Sequence, residues 1–184
     1  MSENKVQGTD TASDAARVSG AEWPEGRYTG PEALRQLVRD AVRLALKHHI
    51  HEMFWSDPDY ADWPLGEAEL TADLNRWARA GGQLRLLATD FRTTEALHAR
   101  FVTWRAQWSH LVQARAVRRG TSRAAMPVTP SAVWMPPWSF ERIDTDNQIM
   151  LATTDRVARM HTLERMEGHW RQAGPAFAPT TLGL

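Results

Sequence analysis

The stretches IHEMFWSDPD (residues 50–59) and QLRLLATD (83–90) decide the fold. Each is a short apolar run that ends in Asp, Pro or Thr, which is typical of a buried strand closed by a turn. Between them, residues 66–80 carry apolar side chains at helical spacing, and Gly81 and Gly82 end that helix. A strand, a helix and a second strand at this spacing predict a βαβ unit with parallel strands.

Further elements flank this unit on both sides. Residues 31–48 predict an amphipathic helix, and a third strand at 111–117 follows a further helix. Residues 131–135 and 148–153 predict an antiparallel pair, and 154–171 predict a final helix. We therefore expect an α/β fold with a mixed, mostly parallel five-stranded sheet flanked by helices, which ends in a β-hairpin and a C-terminal helix.

Apolar side chains are abundant enough for a substantial core. The final helix carries five of them at helical spacing, and we expect all five to face inward: Val157, Met160, Leu163, Met166 and Trp170. The chain also holds nine tryptophans, which suit either core packing or an aromatic binding surface. We favour packing, because buried aromatic side chains are the common case.

Composition limits the organisation and the partners of the chain. Residues 1–28 are polar and aperiodic, so we expect a disordered arm before one domain at 29–174 and a tail at 175–184. Basic and acidic residues number 22 each, so the net charge does not point to nucleic acid or an anionic membrane. The absence of cysteine excludes disulfides, thiol catalysis and thiolate metal sites. Without a signal-like start or a nucleotide fingerprint, we expect a cytoplasmic protein with no cofactor.

The order of elements resembles one half of the phospholipase D superfamily, whose halves end in a β-hairpin and a long helix. That family carries H-x-K-x4-D on its penultimate strand, where the His attacks phosphorus and the Lys binds phosphate. Here Ser131 and Val133 stand where His and Lys belong. The chain is also similar to small uncharacterised bacterial proteins that share its WPLG stretch at 63–66 and its R-F-x-x-W-R-x-x-W-x-H stretch at 100–110. The resemblance implies a half-domain without phosphodiesterase chemistry, to which no catalytic residue carries over.

Acidic side chains follow the first two predicted strands. Asp57, Asp59 and Asp90 would meet at the carboxyl edge of a parallel sheet, where three carboxylates could hold Mg²⁺. The D-x-D pattern also resembles the haloacid-dehalogenase-like phosphatases, which would make Asp57 the nucleophile and Asp59 the general acid. Those enzymes need a downstream lysine, whereas the lysines of this chain are Lys5 and Lys47. We favour strand-ending turns, which Asp and Pro commonly form.

Histidines cluster where the first helix meets the first strand of the βαβ unit. His49 and His51 could share one face of that strand and bind zinc or nickel. We favour a helix-end role instead, because no third ligand lies at metal-site spacing and a helix C-terminus attracts positive charge.

A second group of polar and aromatic residues could bind a phosphate group or a single-stranded nucleic acid. Its candidate members are Arg100, Arg105, His110, Trp63, Trp104 and Trp108, with further arginines at Arg115, Arg118, Arg119 and Arg123. The alternative, which we favour, is a helix with an apolar stripe and a solvated charged face.

The sequence therefore favours a non-catalytic interaction domain that forms a homodimer or binds a protein partner. A magnesium-dependent phosphohydrolase that uses Asp57, Asp59 and Asp90 is one alternative. A phosphate-binding or nucleic-acid-binding module with an Arg/Trp surface is the other.

Overall fold

The structure is a computed structural model that describes residues 22–117 and 131–179. Within these ranges the chain forms eight strands and five helices. In chain order they are β1 (Gly26–Thr29), α1 (Pro31–Lys47), β2 (Glu52–Ser56), α2 (Ala68–Arg79), β3 (Gln83–Ala88), α3 (Arg92–Leu97), α4 (Ala99–Gln107), β4 (Val112–Ala116), β5 (Ala132–Met135), β6 (Trp138–Asp144), β7 (Ile149–Thr153), α5 (Arg156–Gln172) and β8 (Gly174–Pro175). The strands form one sheet in the order β1-β7-β6-β5-β2-β3-β4-β8.

The βαβ units predicted from the sequence form the centre of this sheet. β2 pairs in parallel with β3, and β3 pairs in parallel with β4. The connections run through α2 and through α3 and α4. The α/β class and the mixed sheet are therefore confirmed.

The rest of the sheet differs from the expected five-stranded, mostly parallel arrangement. In the described part of the chain, the other five strand pairs are all antiparallel. Pro136 and Pro137 form a tight turn between two paired strands, since Met135 pairs with Trp138. Residues 132–153 thus make a three-stranded meander, and β1 and β8 are too short to produce a recognisable sequence pattern.

Both ends of the folded part reach further than the sequence indicated. β1 includes residues 26–28, which the sequence assigned to the arm, and the indole Nε1 of Trp138 donates to the carbonyl oxygen of Pro24 at 2.6 Å. At the other end, Phe177 is buried and stacks on Phe91 with ring centroids 4.8 Å apart. Most of the predicted arm (1–21) and the last residues (180–184) lie outside the described part.

The helices cover the two faces of the sheet unequally. Residues of α1, α2 and α4 pack with Met53 and Trp55 of β2 in the main core. The neighbouring Phe54 points to the opposite face, where α5 contributes Met166 and Trp170 to a smaller cluster. This alternation follows from the period of two along a strand. No helix of the described residues is both long and apolar enough to cross a membrane.

Gly82 offers a test of the packing between α2 and β3. A β-carbon at this position would collide with the indole ring of Trp77, which is buried. We expect Gly82→Ala to lower the free energy of unfolding by about 1–3 kcal/mol, because a packed core resists added volume. Gly168→Ala in α5 is the matched control, because nothing lies within 4 Å of the added β-carbon. It should raise the free energy of unfolding by about 0.5–1 kcal/mol, since alanine favours a helix more than glycine does. Urea unfolding measures both, and equal effects would contradict the packing described.

Candidate functional site

Asp57 follows β2 at the carboxyl edge of the parallel strands, and only 4% of the residue is exposed. Its Oδ1 accepts hydrogen bonds from the backbone N–H groups of Asp59 (3.1 Å) and Tyr60 (2.7 Å). Its Oδ2 accepts from the indole Nε1 of Trp63 at 2.8 Å and from the hydroxyl of Ser131. Four donors therefore surround the carboxylate, and they tie the turn after β2 to the start of β5.

The surroundings of Asp57 make it a structural group. Burial raises the pKa of its carboxyl above the ordinary value, and its hydrogen bonds act in the opposite direction. Burial also raises the pKa of Tyr60, and the charge of Asp57 adds to that rise. The Tyr60 hydroxyl lies 3.0 Å from the carbonyl oxygens of Trp55 and Leu87, so it bridges β2 and β3. Protein encloses both groups and satisfies their hydrogen bonds.

Asp59 and Asp90 lie at the same edge, where they line a cavity of about 570 Å³. The Asp59 carboxylate accepts from the backbone N–H of Ala61 at 3.0 Å. The Asp90 carboxylate accepts from the backbone N–H of Arg92 at 3.1 Å and pairs with its guanidinium at 2.9 Å. Each carboxylate thus stabilises the turn in which it lies.

The three carboxylates do not converge as the motif suggested. Asp57 is enclosed, whereas Asp59 and Asp90 face the open cavity. Among the residues that the structure describes, no group of three or more His, Asp or Glu side chains is placed to hold a metal ion. The arrangement expected of a three-carboxylate magnesium site is therefore not formed by these side chains.

The histidine cluster is divided by the turn after α1. His49 and His51 are both exposed, and His49 has a left-handed backbone with φ of 53°. His48 instead lies 3.1 Å from a carboxylate oxygen of Glu22, and its ring packs against that of Trp23 at a tilt of 33°. These contacts agree with a helix-end role.

The residues of the predicted Arg/Trp surface do not lie together, because some are buried in the core and others are exposed. Trp63 and Trp104 belong to the core, where they are 2% exposed, and Arg105 is 6% exposed. Arg100 is exposed and donates to the carbonyl oxygen of Gly66 at 2.9 Å. A continuous surface of these residues is therefore absent.

The remaining members of that group lie apart from the buried ones. Trp108 is half-buried and donates to Oδ1 of Asn75 at 2.9 Å. His110 is exposed beside it. Arg115 stacks on Trp170 beneath α5, across the sheet from α4. The other three arginines, at 118, 119 and 123, lie outside the described residues.

A groove that the sequence did not reveal lies between β6, β7 and α5, with a volume of about 600 Å³. Its lining includes Ile143 and Leu151, which are 51% and 42% exposed, and α5 contributes His161 and Arg165. Glu141 on β6 accepts a hydrogen bond from Thr162 at 3.0 Å and pairs with Arg165. We call this feature the β6–β7 groove.

The groove could not be predicted from the sequence, because the helical spacing of apolar residues in α5 indicated a more deeply buried helix than the structure contains. Val157 and Met160, expected to face the core, are 63% and 39% exposed. Met166 and Trp170, further along α5, are buried as expected. The sequence did contain an indication of this exposure: charged residues surround the apolar side chains in the first turns of α5, so no continuous apolar stripe faces the sheet there.

Comparison with known families and with curated proteins yields no match. Among solved structures, the chain is similar to TrmBL2, an archaeal chromatin protein whose structure shows a novel mode of DNA binding. The TM-score is 0.56 and the identity 13%, with 80% of this chain and 52% of that chain covered. This chain thus spans about half the length of TrmBL2. The likeness is one of fold.

The role of Asp57 can be tested by Asp57→Asn. The Asn side chain has only one acceptor oxygen, so it cannot accept hydrogen bonds from all four donors. We therefore expect the free energy of unfolding at pH 7 to fall by about 1–3 kcal/mol. Because burial raises the folded-state pKa, the wild-type advantage should be largest below the unfolded value of about 3.9 and decrease as pH rises through the folded value. Asp59→Asn is the matched control. The Asp59 side chain accepts a hydrogen bond from the backbone N–H of Ala61, so this change should lower the free energy of unfolding by less.

Urea unfolding of the three proteins between acidic and neutral pH measures these differences. A wild-type advantage that grows with pH would contradict the raised pKa of Asp57. Equal losses in both variants would contradict its role as the anchor of the turn.

Proposed function

We propose that this chain is a non-catalytic interaction domain of the phospholipase D-like half-domain type, which pairs with a second copy of itself through the β6–β7 groove. The unequal cover of the sheet is the observation that supports this most directly. Among the described residues, three helices pack on one face, whereas α5 is the one helix on the other face and leaves Ile143 and Leu151 in an open groove. Exposed apolar side chains grouped in this way mark interaction surfaces.

The charges around the groove favour a second copy as the partner. Glu164 and His161 line it on the side of α5, and Arg27 of β1 lies opposite Leu151 in the sheet. A two-fold interface brings one surface against itself, so a surface that holds both signs of charge can complement itself. β1 is also the edge strand of the sheet at this end, and an edge strand can pair with another chain.

The positions of possible catalytic groups support a non-catalytic role. Ser131 and Val133, which stand where the phospholipase D family has His and Lys, are both buried, and Ser131 is bonded to Asp57. Both oxygens of Asp57 already accept hydrogen bonds, so a nucleophilic role would require the turn to open. A phosphohydrolase is therefore the weaker alternative.

The dimer can be tested by Leu151→Asp in sedimentation equilibrium. We expect wild type to form a dimer in the micromolar range, and we expect the variant to dissociate at least roughly tenfold more readily, because it buries a charge in the interface. Leu97→Asp is the matched control, since Leu97 is 59% exposed on α3 and lies away from the groove. This control should dimerise like wild type.

Two results would overturn the proposal. One is a wild-type chain that stays monomeric throughout that range. The other is a Leu97→Asp variant that dissociates as readily as Leu151→Asp, since that would place the interface elsewhere.

DNA binding is a second candidate function, favoured by the shared fold with TrmBL2, whose structure shows a mode of DNA binding. If this chain binds DNA, contacts with phosphate should make the affinity fall steeply with salt. We expect duplex DNA to raise the fluorescence anisotropy of labelled protein at low salt and to do so far less near physiological salt. An unchanged anisotropy with duplex and with single-stranded DNA at low salt would remove this candidate.

A further inference from the structure

Arg105, near the end of α4, is a buried cation that has no acidic partner among the described residues. Only 6% of the residue is exposed, and its Nε and Nη1 atoms have no hydrogen-bond acceptor in the structure. Its charged group lies near the ring of Phe177, with 5.9 Å from Cζ to the ring centroid. That distance is close to the outer limit of a cation–π interaction, so the ring compensates little of the buried charge.

Other arginines with little exposure have an acidic neighbour, which Arg105 lacks among the described residues. Arg39 forms two hydrogen bonds to the carboxylate of Glu67, at 2.9 and 2.7 Å. Arg142, which is 8% exposed, also has buried nitrogens without a hydrogen-bond acceptor, but its Nη2 lies 3.5 Å from a carboxylate oxygen of Asp62. No salt bridge reaches Arg105 from the described residues, and burial lowers the pKa of its guanidinium with no acidic group acting against it.

The acidic side chains outside the described residues are Glu3, Asp10 and Asp14, which all precede residue 22 in the sequence. Residues 118–130, which follow β4, contain no aspartate or glutamate, and neither do residues 180–184, which follow the Phe177 stretch. A buried charge without a counter-ion is strongly unfavourable, and proteins normally pair such charges. A bound anion would therefore gain a favourable partner that is already largely desolvated.

The surroundings of Arg105 suit a small ligand that has an apolar part. Phe177 and Phe101 pack near each other, with ring centroids 6.3 Å apart, and Phe101 stacks on Trp104 at 5.3 Å. The indole Nε1 of Trp104 is a second buried donor on the same helix without an acceptor. Two consecutive residues of α4 thus carry buried donors without an acceptor, and Phe177 lies close to the guanidinium of Arg105 and to the ring of Phe101.

We propose that Arg105 anchors a binding site for a small oxyanion, a phosphate or carboxylate group, between α4 and the segment that contains Phe177. The guanidinium supplies the charge and hydrogen bonds in a fork that matches either group. This inference is independent of dimerisation, because the β6–β7 groove lies at the other end of the sheet.

Thermal unfolding with inorganic phosphate or acetate, each compared with sodium chloride at equal ionic strength, tests the site. We expect at least one of the two anions, at saturation, to raise the Tm of wild type by about 5 °C. Arg105→Met should abolish that rise and should keep or raise the anion-free Tm, because it removes an uncompensated buried charge. Arg100→Met, an exposed arginine on the same helix, is the matched control and should respond like wild type.

The two anions distinguish the source of the oxyanion. A rise with phosphate alone identifies a phosphate site, and a rise with acetate alone identifies a carboxylate site. The proposal is overturned if neither anion raises the wild-type Tm, or if Arg105→Met responds as fully as wild type. A large fall in the anion-free Tm of Arg105→Met would also overturn it, since that result would make Arg105 a structural residue.

Discussion

The hydrogen bonds to the Asp57 carboxylate are the interaction on which the rest of the structure depends. They connect the parallel half of the sheet with the antiparallel half, because Ser131 donates to Asp57 just where β5 begins to pair with β2. Trp63 donates to the same carboxylate and thereby fixes the turn that covers the end of β2. A buried charge that accepts four hydrogen bonds is stable only while all its donors stay in place. The two halves of the sheet are therefore held in one relative register.

Local patterns in the sequence were sufficient for the centre of the fold. The apolar runs that became β2, β3 and β4 are each closed by a turn residue or connected by an amphipathic helix, and such signals are local. The edge strands could not be predicted, since β1 has four residues and β8 has two. Their pairing depends on partners that are distant in the chain, which no window of sequence contains.

The candidate site shows a similar limit. The position of Asp57 at the carboxyl edge followed from the strand pattern, but its role depends on a donor at Ser131, 74 residues away. The burial of Arg105 likewise depends on Phe177, which the sequence placed in a tail. Residue types and spacings indicate which chemistry is available. Whether a group is enclosed or accessible is decided by contacts between distant segments.

The pairing of β1 with β7 has a consequence for the order in which the molecule assembles. Gly26 pairs with Ala152, so β1 cannot pair until β7, the seventh of the described strands in chain order, has been synthesised. Contacts of such large sequence separation form late, because closing a long loop costs entropy before any contact compensates for it. During synthesis, the segment before α1 therefore remains an unpaired strand with its backbone groups free. Completion of this edge of the sheet is a step that the nascent chain can take only after β7 has been synthesised.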